Sequence, residues 1–126
     1  MKITSFNPGL ITGNAETAIA LFEALGFEQR HTKTGINDED ITTVRMKDVN
    51  GFHVDVTQVD NFPRDIMAIR MNVDDFDEAY EFLTARGFKN AQGEKVTDTG
   101  SSHATMMVSP SGFAINLIKH IRKEDR

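Results

Sequence analysis

The sequence predicts an α+β chain built twice over, each half running strand, helix and then three strands. Three observations carry this. Asn50-Gly51-Phe52-His53-Val54-Asp55-Val56 has a counterpart 61 residues on, Ser111-Gly112-Phe113-Ala114-Ile115-Asn116-Leu117. Each is a glycine turn, an aromatic residue, and then a strand alternating between apolar and other residues. Gly26-Phe27 and Gly87-Phe88 fall at the same spacing, each where a helical pattern stops. Ala18/Ala79, Ala24/Ala85 and Met46/Met107 repeat at that one offset with no gap between them.

The elements follow in order. Ile3 to Thr12 reads as a strand, irregular near Pro8-Gly9, where proline removes a donor and suggests an edge or a bulge. Asn14 is a good N-cap for the helix that follows. Ala15, Ala18, Ile19, Phe22 and Leu25 make its apolar stripe. Gly26 stops it as a C′ glycine, with Phe27 placed to fold back on the last turn. Glu28 to Lys33 is a polar strand, residues 34–40 a loop, and Ile41 to Lys47 a strand with Thr42, Val44 and Met46 against Thr43, Arg45 and Lys47. In the next strand Phe52, Val54 and Val56 form the apolar face, and His53 and Asp55 the other.

Asp60 to Asp65 reads as a linker by its proline and its charges. Ile66 to Val73 is then a strand, and Asp75 with Glu78 forms a capping-box signature. Phe76, Ala79, Tyr80 and Leu83 occupy the stripe positions that Ala15, Ala18, Ile19 and Phe22 hold in the first helix. A polar segment at Lys89 to Lys95, a loop at Thr97 to Ser101 and a strand at Ser102 to Val108 lead to the final turn. Beyond it, Phe113, Ile115 and Leu117 face the core, opposite Ala114 and Asn116. Strands with one core face and one partly polar face suit a sheet that lines a cavity.

Composition narrows the function classes. At 39% hydrophobic and 26% charged, a chain of 126 residues has enough apolar material for one folded domain. The net charge of −5 offers no footprint for nucleic acid or an anionic membrane surface. The basic run Lys119 to Lys123 reads as a solvated end. With no cysteine, disulfides, thiolate zinc sites and cysteine nucleophiles are excluded. No apolar stretch spans a bilayer and the first nine residues lack a signal core, so a cytoplasmic protein is expected. There is no G-x-S-x-G, P-loop, dinucleotide fingerprint or H-E-x-x-H.

Two βαβββ modules, at about residues 1–60 and 66–121 of a single domain, resemble the vicinal oxygen chelate superfamily. The resemblance rests on the helix end Ala24 to Phe27, on Asn-Val-Asp-Asp at Asn72 to Asp75, and on the two turns before the final strands. Ser109 to Phe113 is similar to that superfamily's Asp-Pro-x-Gly turn with the aspartate replaced. It includes glyoxalases, extradiol dioxygenases, methylmalonyl-CoA epimerases and the bleomycin and fosfomycin resistance proteins. The resemblance implies a U-shaped mixed sheet around a cavity, helices outside, and a homodimer.

It also implies where metal ligands would stand, on the first and last strands of each module. Those positions here are Asn7, Asp55, Ala68 and Asn116, of which Asp55 alone is a ready ligand for a divalent ion. No metal or other cofactor is therefore expected. A shifted site using His53, Asp55 and His120 is the alternative, while His31 and His103 read as surface residues. The second module's first strand places Ala68, Arg70 and Asn72 toward the hollow. Arg70 there either pairs with Asp55 or anchors an anionic group. Met46, Met67, Met71, Met106 and Met107 are either an adaptable lining or ordinary core.

Three functions remain open. The first is metal-free binding of a small molecule through Asn7, His53, Asp55, Arg70, Asn72 and Asn116. The second is a divalent-metal-dependent lyase, isomerase or dioxygenase with a shifted site. The third is a non-catalytic interaction domain.

Overall fold

Two turns of the same chemistry organise the computed structural model, which describes residues 1–33, 41–98 and 102–120. In the first, Gly51 takes φ +87° and Asp48 Oδ1 accepts from the Asn50 N–H (3.0 Å) and the Phe52 N–H (2.9 Å). In the second, Gly112 takes φ +107° and Ser109 Oγ accepts from the Gly112 and Phe113 N–H groups, both at 3.0 Å. Serine can stand for aspartate because either supplies an oxygen close to the backbone it caps.

Asn7–Ala68 forms one compact unit, and Met1–Phe6 with the chain from Ile69 onward forms the other. The unit from Asn7 to Ala68 holds most of β1 (Ile3–Thr12), α1 (Ala15–Ala24), β2 (Glu28–Lys33), β3 (Thr42–Lys47) and β4 (His53–Gln58). Here β1 runs parallel to β4 with Gly9 opposite Asp55, and β4 is antiparallel to β3 with Arg45 opposite Asp55. β2 adds to β3 antiparallel, with a register shift between Gln29 and His31. The unit from Ile69 onward holds most of β5 (Ile66–Val73), α2 (Phe76–Thr84), β6 (Lys89–Asn90), β7 (Thr97–Asp98), β8 (Ser102–Val108) and β9 (Ala114–His120). There β5 is parallel to β9, β9 antiparallel to β8, and β8 antiparallel to both β6 and β7. The repeat extends to the register. Gly9 opposite Asp55 becomes Arg70 opposite Asn116, and Arg45 opposite Asp55 becomes Met106 opposite Asn116. The chain is therefore α+β, with two βαβββ modules, the second strand position of the second module being split into β6 and β7. Among the described residues no helix is long and apolar enough to cross a membrane.

Each helix covers one face of its own unit's sheet. Val44, Met46, Val54 and Val56 pack with Ala15, Ala18, Ile19 and Phe22 of α1. Met71, Val73, Met107, Ile115 and Leu117 pack with Phe76, Ala79 and Leu83 of α2. Met46, Met71 and Met107 are thus core, whereas Met67 is exposed. The helix ends are built as their sequences indicate. Asn14 accepts from the Thr17 N–H and Asp75 from the Glu78 N–H. Gln58, at the end of β4, adds a tie that composition does not reveal: its Oε1 accepts from the Ala15 N–H at 2.7 Å. At the C-terminus of α1, Phe27 N–H donates to Phe22 C=O and Gly26 N–H to Glu23 C=O, the bonding of a Schellman turn. The Phe22 and Phe27 rings meet edge-on, their centroids 5.7 Å apart.

Several expectations change. Phe52 belongs to no apolar face and is 66% exposed, because it lies beyond the last ladder pair, Lys47 with His53, where the chain has left the sheet. Phe113 is exposed too, though its ring packs edge-on against Phe88. Leu25 leaves the α1 stripe at 64% exposure, since Phe27 folds back onto the last turn of the helix in its stead. Phe22 is half-buried while its counterpart Leu83 is buried. Thr97 and Asp98, expected in a loop, pair with Ala104 and His103 as β7. In the Lys89 to Lys95 segment only Lys89–Asn90 is strand, and a turn follows. β1 runs unbroken through Pro8-Gly9, and its pairing with β4 begins at Gly9, so the missing Pro8 donor costs no bond in that ladder. The capping box is half made, because Glu78 turns its carboxylate to the Met1 amino group. The expected loop at 34–40, residues 99–101 and the basic run past His120 lie outside the described residues.

Lys2 and Asp74 clasp the start of β1 to the end of β5 within their unit. Lys2 N–H donates to Asp74 Oδ1 (2.6 Å), and Asp74 N–H donates to Lys2 C=O (3.0 Å). The bond from the Lys2 backbone holds the Asp74 carboxyl below its ordinary value. A group depressed on folding contributes stability that is present above its unfolded value and lost as pH falls through its folded one. Asp74→Asn is therefore expected to lower stability modestly at neutral pH, where the contribution is fully present, and to flatten the acid end of the stability curve, below about pH 4. Urea unfolding at several pH values checks it; an unaltered acid limb would count against the clasp.

Candidate functional site

The face of β1, β3 and β4 away from α1 follows from strand alternation. If Val44, Met46, Val54 and Val56 meet the helix, then Thr43, Arg45, Lys47, His53, Asp55 and Thr57 point the other way. Asp55 is the centre of that face and is only 3% exposed. Its Oδ2 accepts from Asn7 Nδ2 at 2.6 Å and lies 3.3 Å from Arg45 Nη1. Asn7 spends its second amide proton on the Pro8 carbonyl, at 3.0 Å. Its orientation is therefore set, with the amide nitrogen toward the carboxylate and Oδ1 away from it. Asn7 Oδ1 is buried and meets no donor among the described residues, as is true of Ser5 Oγ two residues back along β1. A buried acceptor left unpaired costs about 1–3 kcal/mol, so such an atom marks a place where a donor is wanted.

Arg45 is the functional-face residue that sequence reasoning passed over. Its signal was available: the Asp48 to Phe52 turn sets the β3–β4 register, which puts Arg45 directly opposite Asp55. His53 lies on the same face, half-buried, opposite Lys47.

The second module repeats the positions with different chemistry. Ala68 is buried and offers only a methyl where Asn7 offers an amide. Arg70 stands opposite Asn116 in register, and its Nε donates to Asn72 Oδ1 at 3.4 Å. Asn72 is buried, and Arg70 and Asn116 are half-buried. The structure thus joins Asn7 and Asp55 with Arg45 in one unit, and Arg70 with Asn72 and Asn116 in the other. His120 is exposed at the end of β9, and His31 is exposed on β2. His103 is half-buried, 3.6 Å from Asp98 and edge-on to the Phe76 ring, rather than a plain surface residue. A separate open cleft of about 370 Å³ lies at the N-terminus of α1, between Asn14 and Arg64. The Ala15 and Thr17 N–H groups there are already taken by Gln58 and Asn14.

No protein-family model matches the sequence, and no curated protein matches it either. Solved structures do. Methylmalonyl-CoA epimerase from Mycobacterium tuberculosis superposes with a TM-score of 0.72 at 15% identity, over 97% of this chain and 91% of that one. The chain has the vicinal oxygen chelate fold. A glyoxalase/bleomycin resistance protein/dioxygenase superfamily member from Vibrio splendidus gives a TM-score of 0.61 at 17% identity, over 94% and 99% of the two chains. A glyoxalase I variant from Zea mays gives 0.68 at 13% identity, over 94% of this chain and 44% of that one.

A divalent ion is the group this fold brings to mind, and the residues present do not fit it. The single carboxylate among the ligand positions is engaged by a guanidinium and by the donor end of an amide. Cation and N–H stand where an ion needs negative oxygen. Among the described residues no three His, Asp or Glu side chains gather as a metal site.

Proposed function

We propose that this chain binds a small polar molecule without a metal ion, using the Asn7–Arg45–Asp55 face. His53 belongs to that same face, and the other unit offers Arg70, Asn72 and Asn116 as a candidate face of its own. One observation supports the reading above others: the buried carboxylate of Asp55 is neutralised by Arg45 and tied by the Asn7 amide nitrogen. That arrangement repels a dication and leaves guanidinium donors for a polar ligand. The Vibrio splendidus neighbour is a glyoxalase/bleomycin resistance protein/dioxygenase superfamily member, and fold alone decides no chemistry.

The test joins metal analysis to ligand screening. Protein purified without chelator should carry no stoichiometric zinc, manganese, iron or nickel, and adding them should leave Tm unmoved. A small-molecule library screened by thermal shift should yield ligands. Arg45→Ala should weaken a bound ligand about tenfold, the scale of one charge-assisted hydrogen bond, and His31→Ala should not; Arg70→Ala tests the other unit's face in the same way. Near one equivalent of metal, lost on Asp55→Ala, would sink this reading and promote a metal-dependent lyase, isomerase or dioxygenase.

A further inference from the structure

Asn7 and Arg45, which both meet Asp55 Oδ2, have unused hydrogen-bonding capacity of opposite kinds. Arg45 uses Nη1 on Asp55; its other N–H groups meet no acceptor among the described residues, and 22% of its side chain is exposed. Asn7 has used both amide protons, and its Oδ1 meets no donor. Arg45 Nη1 and Asn7 Nδ2 lie 3.3 and 2.6 Å from the same oxygen, so Asn7 Oδ1, across the same amide group, is within about 8 Å of Nη1. A ligand that meets both must therefore be short, with an anionic group for the guanidinium and an O–H or N–H donor for the amide oxygen.

We infer that this face takes a small organic anion whose carboxylate neighbours a hydroxyl, the 2-hydroxy acid class. The carboxylate sits on the open N–H groups of Arg45, and the hydroxyl donates to Asn7 Oδ1. Arg45 anchors any carboxylate; Asn7 selects those with the donor. Oδ1 is buried, so a side chain must shift for the hydroxyl to reach it; Arg45 is long and partly exposed, whereas Asn7 and Asp55 are buried. The inference rests on the metal-free reading above, because a divalent ion would itself claim Asn7 Oδ1 and Asp55.

Glycolate and acetate differ by one hydroxyl and make the test. Titrated into isotope-labelled full-length protein, both should shift the Arg45 Nε–H resonance. Glycolate should bind about tenfold tighter, the worth of one hydrogen bond, and it alone should shift the Asn7 side-chain amide. Arg45→Gln should abolish both responses, and Asn7→Ala should make the two acids equivalent. If Asn7→Ala does not fold, the wild-type comparison decides. Equal affinities, or no response to either acid, overturn the inference. Shifts centred on Arg70 and Asn116 remove this subsite but leave metal-free binding standing. A glycolate response that disappears with chelator shows that the metal-free reading, rather than the choice of acid, is at fault.

Discussion

Met46→Ala and Met107→Ala are each expected to lower the free energy of unfolding by about 2–5 kcal/mol. The two residues occupy the same place in the repeat and both are fully buried. Met46 lies among Val44, Val54 and Val56 under α1, and Met107 among Met71, Ile115 and Leu117 under α2. Truncation loses the transfer energy of the removed atoms and leaves a void that β-sheet neighbours close poorly. Met67→Ala, at an exposed site on β5, should stay within about 0.5 kcal/mol. Urea unfolding of the three variants measures this. A neutral Met107→Ala beside a costly Met46→Ala would show that the two cores are not equivalent.

Gly87→Ala is expected to cost more than Gly26→Ala, although both glycines end a helix at positive φ, +92° and +104°. At Gly26 an added Cβ meets nothing within 4 Å, so only the backbone conformation is penalised, by about 1–2 kcal/mol. At Gly87 the Cβ would stand 2.8 Å from Pro110 Cγ, on the turn that precedes β9. Crowding adds about 1–3 kcal/mol to the same backbone term. Thermal unfolding should rank the variants, and Pro110→Ala in the Gly87→Ala background should narrow the gap. Equal losses for the two glycines would mean that the Pro110 ring moves aside without cost.

The repeat was legible because its markers are local. Gly26, Gly51, Gly87 and Gly112 all adopt positive φ, a requirement that the chain states residue by residue. Alternation likewise placed Val54, Val56, Ile115 and Leu117 in the cores, and Asn14 and Asp75 at their helix starts. The four ligand positions came from the resemblance, and of Asn7, Asp55, Ala68 and Asn116 one is a carboxylate.

Arg45 shows where that reach ended. Alternation put it on the same side as Asp55, but the sequence reading looked for the partner of Asp55 at Arg70, on the strand that the fold's ligand positions single out. Within the Asn7–Ala68 unit the ladder also sets Arg45 directly across from Asp55. Phe52 marks a second boundary: an apolar residue in phase with a strand is buried only where another element extends over it.

By itself, then, the sequence determined the order of elements, the turns that space them and the chemistry each strand face can offer, because these depend on neighbours a few residues apart. The tertiary structure alone decided that Arg45 meets Asp55, which amide atom of Asn7 is left without a donor, and where helix cover stops. Those depend on ladder register and on packing between segments far apart in the chain, whose outcome no local pattern contains.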